Sequence, residues 1–133
     1  MTRKEVKQLS YAITGCAIKV HKTLGPGLLE SIYEKCLKYE LEKNGYTVNQ
    51  QMRVSIIYDE IDIDYELKVD LFVNSGVVVE LKTVEAILPI HEAQLLTYMN
   101  LLNCPQGLLI NFNTTNITRS LRPLINKHYQ FTD

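Results

Sequence analysis

The chain has 133 residues, a formal net charge of −1, 22% charged and 46% hydrophobic residues. That is one domain's length with enough apolar residues for a real core. The near-neutral total excludes a protein that coats nucleic acid by bulk charge, and no run of about 18 apolar residues exists to cross a membrane. The opening segment MTRKEVKQLSYAITG lacks the uninterrupted apolar stretch of a signal peptide, so a cytoplasmic location is expected. Cys16, Cys36 and Cys104 are far apart, without C-x-x-C spacing, and are expected as buried thiols.

Residues 3–22 predict an amphipathic helix, with Val6, Leu9, Ile13, Cys16, Ala17 and Val20 recurring at three- and four-residue steps. Leu24-Gly25-Pro26-Gly27 breaks it, and without a Walker Lys this is no phosphate-cradling loop. A second helix over about 28–44 places Leu29, Ile32, Tyr33, Cys36, Leu37 and Leu41 on its buried stripe, and Gly45 closes it. Strands are expected over 47–57, 63–73 and 77–83. Pro89 opens a helix running to about Asn103, with Leu95, Leu96, Met99 and Leu102 on the core side and His91, Gln94 and Tyr98 on another. Residues 107–112 read as a buried strand and 117–121 as an edge strand, while Lys127-His128-Tyr129 is helical or frayed. The order α-α-β-β-β-α-β-β predicts an α/β (α+β) sandwich around a central sheet.

The chemistry concentrates in Val69 to Lys82, VDLFVNSGVVVELK, a hairpin turning at Asn74-Ser75-Gly76. In its second arm Val77, Val79 and Leu81 share one face, while Glu80 and Lys82 stand side by side on the other, roughly 6.6 Å apart. Asp70 interrupts the apolar first arm. An Asp on one strand with Glu-x-Lys on its neighbour is a set of hard oxygens and a cation suited to a divalent metal and a positioned water. An Asp70–Lys82 or Glu80–Lys82 ion pair at the sheet edge is the structural alternative. Two carboxylates about 4 Å apart repel by roughly 4 kcal/mol at an effective dielectric of 20, so a core has no reason to gather acids without a cation.

Asp70, nine residues, then Glu80-Leu81-Lys82 resembles the core motif of the PD-(D/E)XK nuclease superfamily. Gly27-Leu28-Leu29-Glu30-Ser31-Ile32-Tyr33 resembles the signature of the GxxExxY family, a small branch usually placed in that superfamily. Gln94 and Tyr98 resemble the Q-x-x-x-Y pair that follows the motif in its exonuclease-like branches. The resemblance runs from about His21 to Phe112, and Val69 departs from it where the superfamily's name has Pro. It implies a single restriction-endonuclease-like domain over 1–133, with an N-terminal helix 3–22 and an αβββαβ core over about 28–121. It also implies Mg²⁺- or Mn²⁺-dependent hydrolysis of DNA or RNA. Asp70, Glu80 and the Leu81 carbonyl would hold metal, Lys82 would assist the attacking water, and Glu30 would be a third carboxylate. Gln94, Tyr98, Tyr33 and His91 would meet substrate. His21 takes the place of a histidine the family often carries before its Leu-Gly-Pro-Gly. By residue type alone, His21 is a helix-end histidine and Glu30 a dipole-favoured first-turn acid.

Charge is partitioned: +4 over residues 1–53, −7 over 54–100 and +2 over 101–133. An acidic centre between basic ends suits a metal site beside a phosphate-binding surface, as does solvated charge on a strand over 58–66. If nucleic acid is the partner, Arg119, Arg122 and some of Lys4, Lys7, Lys19 and Lys22 are expected to rim the site. A module that kept the fold and lost turnover, binding nucleic acid or protein, is the alternative function; the intact Asp70, Glu80 and Lys82 favour the enzyme. No DNA-gripping domain is visible, so substrate selection falls to this surface, to a homodimer or to an accessory protein.

Overall fold

A 3.6-residue period ahead of the first strand, and strand-forming runs after it with one further helix between them, set the architecture. In the computed structural model, which describes residues 1–133, α1 (Arg3–Leu24) and α2 (Glu30–Lys43) precede β1 (Val48–Tyr58), β2 (Ile61–Val73) and β3 (Val77–Lys82). Then come α3 (Pro89–Leu102), β4 (Gln106–Asn111), a single-turn α4 (Ile117–Ser120) and β5 (Leu121–Ile125). The strands lie in the order β1-β2-β3-β4-β5. β1, β2 and β3 form an antiparallel meander, α3 carries the chain over to a parallel β4, and β5 returns antiparallel. This is the expected α/β class with a mixed sheet flanked by helices.

The alternation along β3 divides the core in two. Val77, Val79 and Leu81 pack with Ile13 and Ala17 of α1 and Leu37 and Leu41 of α2. Val78 faces the other way, with Leu95 and Met99 of α3. A Cβ on Gly107 in β4 would come within 2.7 Å of Met99 Sδ, so this glycine lets α3 lie close on the sheet. α1 begins with a capping box, in which Thr2 accepts from the Glu5 amide and Glu5 accepts from the Thr2 amide.

Several expectations need correction. Cys16 and Cys36, expected as buried thiols, are only half-buried because they flank the core rather than fill it, and Cys104 alone is fully buried. Leu29 is 74% exposed because it is the N-cap of α2 rather than part of its stripe, and Ile32 is exposed on the turn that follows. Leu96 is exposed, since the burial of α3 follows Leu95 and Met99 at i, i+4 alone. Residues 117–120 form a helical turn, not a strand: the two apolar residues of that run, Ile117 and Leu121, are four apart, a helical spacing. The edge strand comes after it and contains Pro123, tolerated because an edge residue can forgo a ladder hydrogen bond. No helix is long and apolar enough to cross a membrane.

Candidate active site at the parting of two strands

The β2–β3 ladder pairs Val73 with Val77, Phe72 with Val78 and Leu71 with Val79, and then stops. On its other side β2 also breaks step with β1. The register passes from Asn49↔Phe72 to Gln51↔Lys68, so Gln50 alone faces Val69, Asp70 and Leu71. Both strands turn over at this irregularity, and on β1 Val48 lies on the α1/α2 side while Met52 lies on the α3 side. Leu71 and Val73 join the α1/α2 side of the core, whereas Leu67 and Val69 join the α3 side. Asp70 stands at the exchange point, where β2 has left β3.

The parting frees backbone as well as side chains. Leu81 N–H, with no β2 partner, donates to Asp70 Oδ2 at 2.8 Å, and Asp70 N–H donates to Glu80 Oε1 at 3.3 Å. The N–H and C=O of one strand residue point to the same side. The Lys82 carbonyl accepts from Phe112 on the β4 side, so the Leu81 carbonyl faces the gap beside Asp70.

The electrostatics of the gap are those of crowded acids. Glu80 is only 7% exposed; burial first, and then the negative charge of Asp70, push its carboxyl up to about 9, while Lys82 opposes the shift. From the other face, α2 brings Glu30 and Glu34 on successive turns. Burial and the Asp70 charge raise both, with Lys82 acting against the rise of Glu30. Glu34 also feels Glu30. Gln50 fills the bulge: its amide donates to Glu34 Oε1 at 2.6 Å and to the Asp70 carbonyl at 3.1 Å, and its own oxygen accepts from Lys38 at 3.1 Å. Glu34, Gln50, Lys68 and Asp70 line a shallow pocket of about 310 Å³ there. Tyr98 reaches the gap from α3; burial, and then Glu80, Tyr65 and Asp70, raise its hydroxyl.

Glu34, Gln50 and Tyr65 went unnoticed in the sequence. Glu34 had a readable signal, standing four residues after Glu30 on the same side of a helix. Gln50 has none, because the facing of two strands at a bulge is written in neither strand's own pattern, and Tyr65, in the regular ladder opposite Val54, reads only as one more strand aromatic. Gln94 is exposed one turn before Tyr98 and has no side-chain hydrogen bond within the chain. His91 is occupied in capping, its Nδ1 accepting from the Leu88 amide at 3.0 Å. Tyr33, expected at the substrate surface, is instead fully buried and cannot meet a substrate. Its ring stacks on Phe112 at 4.6 Å, and its hydroxyl donates to the Gly25 carbonyl and accepts from the Leu28 amide. It thereby pins the Leu-Gly-Pro-Gly turn, in which Gly25 and Gly27 take positive φ. His21 is buried too, its Nε2–H donating to the Thr114 carbonyl at 2.8 Å.

No trio of His, Cys, Asp or Glu side chains stands close enough to cage a metal by itself. Asp70 and Glu80 adjoin, while Glu30 stands further off and feels the Asp70 charge. The donors at the gap still fit a hard cation: two carboxylates and a carbonyl that faces the opening. Mg²⁺ is commonly held by one or two carboxylates and keeps several waters.

The model of the PD-(D/E)XK nuclease superfamily matches residues 7–123, and the chain belongs to that superfamily. No curated protein and no solved structure matches it. Members of the superfamily generally use divalent metals and act on nucleic acid.

Proposed function

We propose that this chain hydrolyses phosphodiester bonds of DNA or RNA with Mg²⁺ or Mn²⁺ held by Asp70, Glu80 and the Leu81 carbonyl. The observation that carries the proposal is the parting of β2 from β3 at Asp70, which brings those donors to one opening beside Lys82. When bound, the cation supplies Lewis-acid stabilisation and a more acidic water. Lys82 sets a positive charge where negative charge grows on phosphorus. Glu30 and Glu34, too far from the pair to share a cage with it, would accept hydrogen bonds from water around a bound cation. Tyr98 and the exposed Gln94 meet the substrate from α3. Gly27, Glu30 and Tyr33 support placement in the GxxExxY branch, with Tyr33 serving the turn rather than the substrate.

The test is cleavage of labelled single- and double-stranded DNA and RNA with Mg²⁺, Mn²⁺ or EDTA. Metal-dependent product is expected, with none from Asp70→Asn and roughly 10²–10³-fold less from Lys82→Ala. Equal product from all three proteins would trace the activity to a contaminant. Substrate retained without turnover by the parent and by both variants would favour the binding-module reading.

A further inference from the structure

Beyond the body of the molecule, β1 and β2 run on as a two-stranded arm that ends in the turn Asp59-Glu60. The register pairs Val54 with Tyr65, Ile56 with Ile63 and Tyr58 with Ile61, which puts six apolar side chains on one face. Arg53 and Ser55 fall on the opposite face with Glu66, Asp64 and Asp62, where Arg53 pairs with Asp64 and Glu66. On the apolar face Tyr58 is 72% exposed, Ile61 58%, and Ile63 and Tyr65 44% each. A lone hairpin is marginal in water, so an arm this long and this apolar calls for a neighbour.

The two edges of the sheet are treated differently. β5 is five residues long and carries Arg122 and Pro123, the usual guards against edge pairing. β1 is eleven residues long, has no Pro, and has Arg53 as its single charge. Residues 54–66 hold five acids and no base, which repels phosphate and rules the arm out as a nucleic-acid grip.

We infer that two copies of the chain join edge to edge through β1, antiparallel about a two-fold axis at Ile56. A two-fold axis normal to the sheet keeps both apolar faces on the same side only if opposed residues share parity. Centring on Ile56 meets this condition. It sets Val54 opposite Tyr58 of the second copy, Ile56 opposite itself, and Arg53 opposite Asp59 at each end. Centring on Ser55 would set Arg53 against Ile57, and centring on Val54 would set it against Ser55; both lose the charge match. Pairing would extend the sheet through both copies and double the apolar face into one four-stranded surface. An edge contact of this length lies at the small end for stable interfaces, so the dissociation constant is expected to be micromolar. The inference does not depend on the nuclease reading.

The experiment is sedimentation equilibrium of the full chain from about 1 to 100 µM, with oxidative cross-linking of variants that each carry one introduced cysteine, in a Cys16→Ser, Cys36→Ser background whose one remaining native thiol, Cys104, is buried. Paired antiparallel residues have Cα atoms about 4.5–5.5 Å apart, within disulfide range. Ile56→Cys is therefore expected to give a covalent dimer under mild oxidation. Ile63→Cys, one strand further in on each copy, sits roughly 14 Å from its counterpart and is expected to stay monomeric. A monomer at every concentration overturns the inference. So does a dimer that cross-links through Ile63→Cys, or that fails to cross-link through Ile56→Cys, since either places the contact elsewhere.

Discussion

At Glu80 two demands meet, burial between β-strands and a negative neighbour, and both favour the neutral acid. Its pKa is raised from 4.5 to about 9 by burial and then by Asp70. Below 4.5 the folded and unfolded chains both hold the proton. Above it the unfolded chain lets go while the folded one does not, so the stability contributed by protonated Glu80 is lost as the pH climbs toward 9. In EDTA, the melting temperature should accordingly fall between about pH 5 and 9. Glu80→Gln, neutral throughout, should lose most of that slope and melt several degrees above the parent at pH 8. Parallel slopes by calorimetry would mean that Glu80 ionises freely in the fold. Tyr33 makes the opposite case, a polar group fully satisfied. Tyr33→Phe strands the Leu28 amide and the Gly25 carbonyl, and should cost about 1–3 kcal/mol in denaturant melts while leaving cleavage chemistry intact. At this scale the sequence was partly legible. Asp70, Glu80 and Lys82 showed themselves by breaking an apolar alternation. Tyr33 lies buried as its helical period predicts, and only the substrate role implied by the motif fails, because a residue inside a functional motif can serve the motif's backbone instead of its chemistry.

Up to residue 112 the strands and helices could be anticipated to within about two residues, from the four-residue steps on α1 and the continuous apolar run Val-Val-Val on β3. What the pattern could not show is where β2 changes faces. The exchange at Asp70 is made by β1 and β2 turning over together where one residue of β1 faces three of β2, a property of two strands that neither sequence displays alone. Gln50 holds that irregularity, since its amide meets both the Asp70 carbonyl and Glu34. Gln50→Leu should loosen the bulge without touching any donor of the gap. Mn²⁺ affinity by calorimetric titration should fall by about 10–100-fold, the range seen when a residue supporting a metal ligand is lost. Unchanged affinity would show that β2 holds Asp70 in place unaided. The same reasoning explains the misread segment at 117–121, where one helical turn is too short for a period to declare itself.

For the whole molecule, the charge partition proves to be two features rather than one. Five of the nine acids between residues 54 and 100 lie on the protruding arm, and only Asp70 and Glu80 of that segment stand at the gap, joined there by Glu30 and Glu34 from α2. The acids of the arm are solvated and, in part, paired with Arg53, so they cost the fold little. Those of the gap draw together α2, β2 and β3, the elements whose packing makes the larger core, and their repulsion opposes that packing until a cation answers it. A cation that binds only the folded state adds RT ln(1 + [L]/Kd), about 2.7 kcal/mol at a hundredfold excess over Kd. For a chain of this size that is a rise of roughly 8–14 °C in melting temperature. Mg²⁺ or Mn²⁺ should therefore raise the melting temperature of the parent and of Lys82→Ala alike, because the lysine opposes the acids without being a ligand. Asp70→Asn should show no rise. Its carbonyl oxygen still accepts from the Leu81 amide while its charge is gone, so without metal it should be at least as stable as the parent. Three melts, each with metal and with EDTA, decide the matter: a rise that survives Asp70→Asn puts the cation somewhere other than the parting of β2 and β3, and no rise in any of the three leaves the gap as an acid cluster that holds no cation.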